Sequence, residues 1–247
     1  MTALLAARGL KKTFGAVVAA DDVTLEVPRG ARVSLIGSNG AGKTTFVNMV
    51  TGYMKPDAGS ISLDGTDVTR RSPREITRLG VARSFQIPQL ALEMDALENV
   101  LVAAACNAGV LSFTSPARAP ARIERAMALL ERFRLADHAH RRVAELPGGV
   151  RKLLDIAMAL TGAPKLLLLD EPTSGVSVEE KFPMMDTIVQ ALGDEVTVLF
   201  VEHDMDIVTR YAQRVIAFYA GRVIADDAPD AVLADEQVRR YVTGTAR

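Results

Sequence analysis

The sequence predicts an α/β fold: a mostly parallel sheet with helices on both faces, entered through a strand-rich N-terminal region and interrupted by a mostly helical lobe. Three observations lead there. Lys165–Leu169 and Val196–Val201 are strand-length, almost wholly apolar runs, and they end in charge at Asp170–Glu171 and Glu202–His203–Asp204. Strands buried on both faces read this way in parallel sheets. A helix-like stretch, Glu179–Leu192, separates them, and strand–helix alternation indicates helices packed on such a sheet. Between residues 87 and 163 the strand signal disappears and helical spacing takes over.

In chain order, Leu25–Val27 and Arg32–Ile36 read as strands joined by a turn at Pro28–Gly30. A glycine-rich loop follows, then a helix over Thr45–Val50 that stops at Gly52. Pro56–Gly59 is a turn, and Ser60–Leu63 is a short strand. The front of the chain is therefore rich in short strands, and an N-terminal antiparallel β subdomain is expected there. Val81–Phe85 is strand-like. Leu97–Ala105, Arg122–Leu135 and Arg151–Leu160 read as helices, with Thr114–Pro120 as a loop. In the second of these, Ile123, Met127, Leu130 and Phe133 share one face. Pro183 is expected to kink or delay the helix over Glu179–Leu192. We therefore expect one domain over 1–247. Residues 1–86 and 164–247 form the core with its β subdomain, and 87–163 form the helical subdomain.

Composition sets limits. Half of the 247 residues are apolar, enough for a sizeable core, and the net charge of −1 gives no electrostatic argument for nucleic acid. The lone cysteine, Cys106, precludes a disulfide within the chain and reads as a small core hydrophobe. Residues 1–12 carry no signal-peptide pattern. No apolar stretch reaches the ~18 residues of a spanning helix; the nearest, Ile156–Leu169, is broken by Gly162, Pro164 and Lys165. Any membrane segments are expected to come from a partner. His138 and His140 read as surface residues of a polar connector.

The chemistry is concentrated in Gly37–Ser38–Asn39–Gly40–Ala41–Gly42–Lys43–Thr44, a complete G-x-x-x-x-G-K-[ST] loop between a strand and a helix. Its glycines let backbone N–H groups converge on phosphate oxygens, and the helix N-terminus adds its dipole. Lys43 is suited to bridge the β- and γ-phosphates, the Thr44 hydroxyl to ligate Mg²⁺, and Thr45 to complete the phosphate-binding set. Asp170, at the end of a buried strand, is suited to hold Mg²⁺, and Glu171 to act as general base on the attacking water. Gln86 is placed to reach Mg²⁺ or that water, and His203 to meet the γ-phosphate. Phe14 is a candidate for stacking on adenine. The substrate is then ATP with Mg²⁺.

Together, Phe14, the loop 37–44, Gln86, the glycine pair Gly148–Gly149 opening a helix, Asp170–Glu171 and His203 resemble the nucleotide-binding subunit of ABC transporters, over essentially the whole chain. The resemblance implies ATP hydrolysis between two subunits paired head to tail, with Gly148–Gly149 meeting ATP held by the opposite subunit. It also implies transmembrane permease subunits near Gln86, a solute-binding protein further out, and a peripheral position at the cytoplasmic face of the cell membrane. Phe14–Val17, Val81–Gln86 and Val201–Met205 look like ATP-binding subunits of branched-chain amino-acid importers, whose relatives carry amides and urea. Lipopolysaccharide-export ATPases share a similar core, and a soluble ABC-type ATPase is a further alternative.

The sequence departs from the family's Leu-Ser-Gly-Gly-Gln signature, reading Leu146–Pro147–Gly148–Gly149–Val150. Pro147 offers neither a hydroxyl nor an N–H. This predicts an asymmetric heterodimer with a second ATPase subunit whose signature is intact, in place of a homodimer. Ser177 stands where the family usually has Asp.

Overall fold

The computed structural model describes residues 3–108 and 119–244. The expected loop Thr114–Pro120 lies mostly outside them. The N-terminal strands β1 (Ala3–Phe14) and β2 (Val17–Pro28) form a hairpin, and β3 (Arg32–Gly37) leads to α1 (Lys43–Val50). Next come β4 (Ala58–Leu63), β5 (Thr66–Asp67), α2 (Pro73–Arg78) and β6 (Val81–Ser84). Between β6 and the next strand lie α3 (Ala96–Asn107), α4 (Pro120–Arg132) and α5 (Gly148–Leu160). The rest of the chain adds β7 (Leu166–Asp170), α6 (Val178–Leu192), β8 (Thr197–Val201), α7 (Met205–Tyr211), β9 (Arg214–Tyr219), β10 (Arg222–Asp227), α8 (Pro229–Ala234), α9 (Glu236–Val238) and a π-helical turn at Arg239–Thr243.

Two sheets result. The first is antiparallel, in the order β2-β1-β4-β5. The second runs β10-β9-β3-β8-β7-β6, parallel throughout except for the β9–β10 pair.

Alternation in the central strands divides the core. Leu166 and Leu168 of β7, with Leu199 and Val201 of β8, pack on α1 and the antiparallel sheet. Leu167, Leu169, Val198 and Phe200 face the opposite way, onto α3, α4, α5 and α6. Period-two side chains on strands covered from both sides explain why these runs are apolar throughout.

Several expectations change. Helix α5 starts at Gly148, before Arg151. Pro183 lies inside α6 and does not delay its start. In α4 the buried residues are Ala126, Leu129 and Leu130, followed by Phe133, while Ile123 and Met127 are only partly buried. Cys106 is exposed near the end of α3, so it is not a core residue. His138 is half-buried, whereas His140 is exposed beside Asp95. Among the described residues no helix is long and apolar enough to cross a membrane.

Candidate functional site

The phosphate-loop motif turns between β3 and α1. Gly42 has φ +108°, and a Cβ there would lie 2.5 Å from the Ala19 carbonyl of β2. Gly37 is as confined: its Cβ would meet the Phe218 carbonyl at 2.5 Å. Only glycine lets neighbouring backbone approach this closely. The β9–β10 turn braces the loop, with Gly221 N–H donating to the Ala41 carbonyl at 3.0 Å.

Lys43 is buried, and its Nζ donates to the Gly37 and Ser38 carbonyls at 2.6 and 3.1 Å. Burial pushes its pKa down, opposed by the negative charges of Glu171 and Asp170. Asn39 to Thr45 line a cleft of about 130 Å³ together with Asp170, Glu171, Val201 and His203. This is room for phosphate rather than for a whole nucleotide. A larger cavity of about 710 Å³ lies between α2, α3 and α5, yet no part of the phosphate loop lines it. Chemistry, not volume, locates the site.

The acids follow β7. Asp170 Oδ2 accepts from Arg83 at 2.7 Å. Glu171 has φ +49°, a left-handed conformation costly for a residue with a Cβ. Gln86 Nε2 donates to its Oε2 at 2.7 Å, and His203 Nε2 lies 3.2 Å from its Oε1. The loop after Glu171 is pinned twice. Buried Lys152 of α5 donates to the Glu171 and Ser174 carbonyls at 2.5 and 3.3 Å. Buried Glu202 accepts from Thr173 N–H and Oγ–H at 2.9 and 2.7 Å. Burial lowers the Lys152 pKa, against the attraction of Glu202, Glu171, Asp155 and Asp170.

Asp155 ties α5 to the Gln86 segment, accepting from Ser84 Oγ–H at 2.6 Å and Gln89 N–H at 3.1 Å. Burial pushes its carboxyl pKa up, and these hydrogen bonds oppose the shift.

Of the sequence candidates, the structure thus brings together Lys43, Thr44, Thr45, Asp170, Glu171, His203 and Gln86. Phe14 does not join them. It is exposed at the tip of the β1–β2 hairpin, beneath the Lys12 ammonium at 5.6 Å. Gly148 and Gly149 open α5 outside the cleft-lining set. The structure adds Arg83, Lys152, Glu202 and Asp155, whose roles no local sequence signal marks.

A family model described as ABC transporter matches residues 20–174. The chain belongs to the ABC transporter family. It is 35% identical to the high-affinity branched-chain amino acid transport ATP-binding protein LivG of Salmonella typhimurium, over 98% of each chain. It is 36% identical to BraF of Pseudomonas aeruginosa, described in the same words, again over 98% of each. Among solved structures it resembles the ADP conformation of MJ1267, an ATP-binding cassette of an ABC transporter. The TM-score is 0.87 at 31% identity, covering 97% of this chain and 98% of that one. It also resembles the dimeric post-hydrolysis state of the cassette MJ0796 bound to ADP and Pi, with a TM-score of 0.78 at 25% identity, over 91% and 98%. As an ATP-binding cassette with a complete phosphate loop, the chain binds ATP.

Proposed function

We propose that this chain is the ATP-hydrolysing subunit of an importer for branched-chain amino acids or a related small polar solute. It works at the cytoplasmic face of the membrane, docked on transmembrane permease subunits that a solute-binding protein feeds. The observation that carries the hydrolytic reading is Glu171. Its two carboxylate oxygens are engaged by Gln86 and His203 at the edge of the phosphate-loop cleft. The solute class rests on the LivG and BraF relatives.

The donors fit Mg²⁺, which prefers oxygen ligands and keeps water and phosphate around it. The Thr44 hydroxyl and Asp170 carboxylate line one cleft, and Arg83 takes only one of the Asp170 oxygens. Gln86 donates through nitrogen, which leaves its carbonyl oxygen. Among the described residues no three His, Cys, Asp or Glu side chains cluster to hold a metal unaided, which fits an ion that would be held largely by phosphate oxygens and water. Mg²⁺, when bound, neutralises charge on those oxygens.

The chain's own residues do the rest. The α1 N-terminus and Lys43 hold the β- and γ-phosphates. Gln86 releases Glu171 Oε2, which then orients water and takes its proton. The water oxygen bonds to the γ-phosphorus as the bond to the bridging oxygen breaks, and ADP leaves with that oxygen. His203 keeps the Glu171 carboxylate in position. Phe14, exposed at its hairpin tip, is assigned to adenine.

The α5 N-terminus supports a paired site. Gly148 and Gly149 have ordinary helical backbone, and a Cβ on either meets nothing within 4 Å. Glycine in a helix costs up to about 1 kcal/mol against alanine, and nothing among the described residues requires it. An external group approaching the backbone does, here ATP held by a second subunit. Pro147 caps this helix with no side-chain hydrogen bond, and Val150 is half-buried against the lobe core. This end therefore offers fewer donors than the usual signature. The heterodimer follows, with this chain's own Glu171 serving the competent site.

The test is steady-state ATPase activity, alone and mixed with the second ATP-binding subunit, each against Glu171→Gln. Activity confined to the mixture and abolished by Glu171→Gln is expected. Robust activity alone would remove the asymmetry, and none in either case would remove the hydrolytic role. Uptake of leucine against urea in proteoliposomes tests the solute class.

A further inference from the structure

Arg83 is a charged residue within β6, the edge strand of the parallel sheet, yet its side chain is largely buried. Period-two alternation on β6 puts it on the same face as Val81, toward α1. The same alternation on β7 puts Asp170 on the face of Leu166 and Leu168, again toward α1. Register does the rest, since Arg83 pairs with Leu168. The guanidinium then forks, with NH2 to Asp170 Oδ2 at 2.7 Å and NH1 to Asn48 Oδ1 of α1 at 2.7 Å. Its side chain is 9% exposed and that of Asp170 is 15% exposed. The guanidinium carbon lies 4.9 Å from the Phe85 ring centre, and Tyr53 meets that ring edge-on. The third nitrogen, Nε, is buried and unpartnered, so the group is oriented for its two terminal nitrogens.

We propose that Arg83 is a positioning residue for Asp170. It holds one carboxylate oxygen so that the other faces the nucleotide's metal, and it takes its own bearing from α1 through Asn48. The inference rests on the reading of Asp170 as a Mg²⁺-holding residue. Arg83 touches neither substrate nor metal; it acts through Asp170 alone. Charge and orientation predict opposite effects. A cation next to the site repels Mg²⁺, so a purely electrostatic Arg83 would weaken metal binding. An orienting Arg83 strengthens it, as partners of metal-ligating carboxylates do.

Charge-conserving variants separate the two. Arg83→Lys keeps the charge, but an ammonium cannot span Asp170 and Asn48 as a planar fork does. Asn48→Ala leaves Arg83 and Asp170 in place and removes only the second anchor. The measurement is the dissociation constant of a fluorescent ATP analogue in excess EDTA and across a Mg²⁺ titration, with Asp170→Asn in parallel. In Arg83→Lys, analogue affinity in EDTA is expected within about twofold of wild type, and apparent Mg²⁺ affinity is expected to fall about tenfold. Asn48→Ala is expected to shift Mg²⁺ affinity the same way by a smaller factor. If both variants keep or gain Mg²⁺ affinity while Asp170→Asn loses it, Arg83 does not position Asp170, although the metal reading stands. If Asp170→Asn also changes nothing, the metal reading itself is wrong. A loss in EDTA as large as that in Mg²⁺ would make Arg83 a fold residue only and overturn the inference.

Discussion

Replacing Lys152 by methionine is expected to slow turnover without weakening ATP binding. Lys152 lies outside the phosphate-loop cleft, yet it donates to the carbonyl of the proposed base Glu171 at 2.5 Å and to Ser174 at 3.3 Å. The first is a short, charge-assisted bond to a residue held at φ +49°. Such bonds contribute about 1.5–3 kcal/mol, and the longer one adds less. Methionine fills similar space but leaves the Glu171 carbonyl without its cation, so the loop loses roughly 2–3 kcal/mol of restraint. If all of that restraint acts in the transition state, kcat falls roughly 30–150-fold; if half does, about 5–12-fold. Lys152 is 4% exposed, so solvent screening does not discount this estimate. Lys152→Arg, which keeps the charge, should recover part of the rate. The assay is steady-state hydrolysis with the partner subunit, beside equilibrium ATP binding and a thermal melt. A kcat within threefold of wild type in a folded Lys152→Met variant would refute the reasoning. So would a loss that appears wholly as weaker ATP binding.

Three further outcomes follow from single residues. Gly148→Ala with Gly149→Ala should stabilise the isolated chain by about 0.4–1 kcal/mol per site, read as a higher melting temperature, because both Cβ positions are open; turnover of the assembled pair should fall. Equal signs in the two assays would argue against an external ligand there. Gly42→Ala should abolish tight ATP binding, since its Cβ would sit 2.5 Å from the Ala19 carbonyl at φ +108°; equilibrium binding checks this. Asp155 has a raised pKa in the folded state, so its contribution is fully present below the unfolded value and lost as pH rises through the folded one. Asp155→Asn should therefore gain stability relative to wild type at pH 7 compared with pH 4, read from paired melts; no change in that difference would remove Asp155 as its source.

What the sequence disclosed depended on how local each signal was. The phosphate loop and the acids after Leu169 announce themselves because their chemistry demands fixed residue types at fixed spacing. Strand β1 was missed because register shifts against β2 break its alternation around Gly9. The β9–β10 hairpin was missed because its turn, Ala220–Gly221, puts alanine at φ +47° where asparagine or aspartate is the usual signal. Helix α2 does carry a local signal, since Ser72 and Glu75 form a capping box at its start. Arg83, Lys152 and Glu202 could not be read at all. Their partners lie 19 to 87 residues away, and nothing local marks a lysine as buried.

Strand order explains why these separate signals converge. The phosphate loop follows β3, His203 follows β8, Asp170 and Glu171 close β7, and Gln86 follows β6. In the sheet those four strands are consecutive neighbours and mutually parallel. Their carboxyl ends therefore share one edge, about 4.8 Å apart from strand to strand. His203 falls between the phosphate loop and the acids, and Gln86 falls beyond them. Period two then sets a problem. Asp170 turns toward α1 and Arg83, so an extended Glu171 would turn the opposite way, away from the cleft. The left-handed backbone of Glu171 ends the strand and returns its carboxylate to the cleft, within reach of both Gln86 and His203. That conformation is costly alone, and the Lys152 contact to its carbonyl and the Glu202 contact to Thr173 hold it. The strain at Glu171 is thus the means by which two adjacent acids turn different ways, Asp170 toward Arg83 and Glu171 toward Gln86 and His203, as the proposed metal-holding and water-activating roles require.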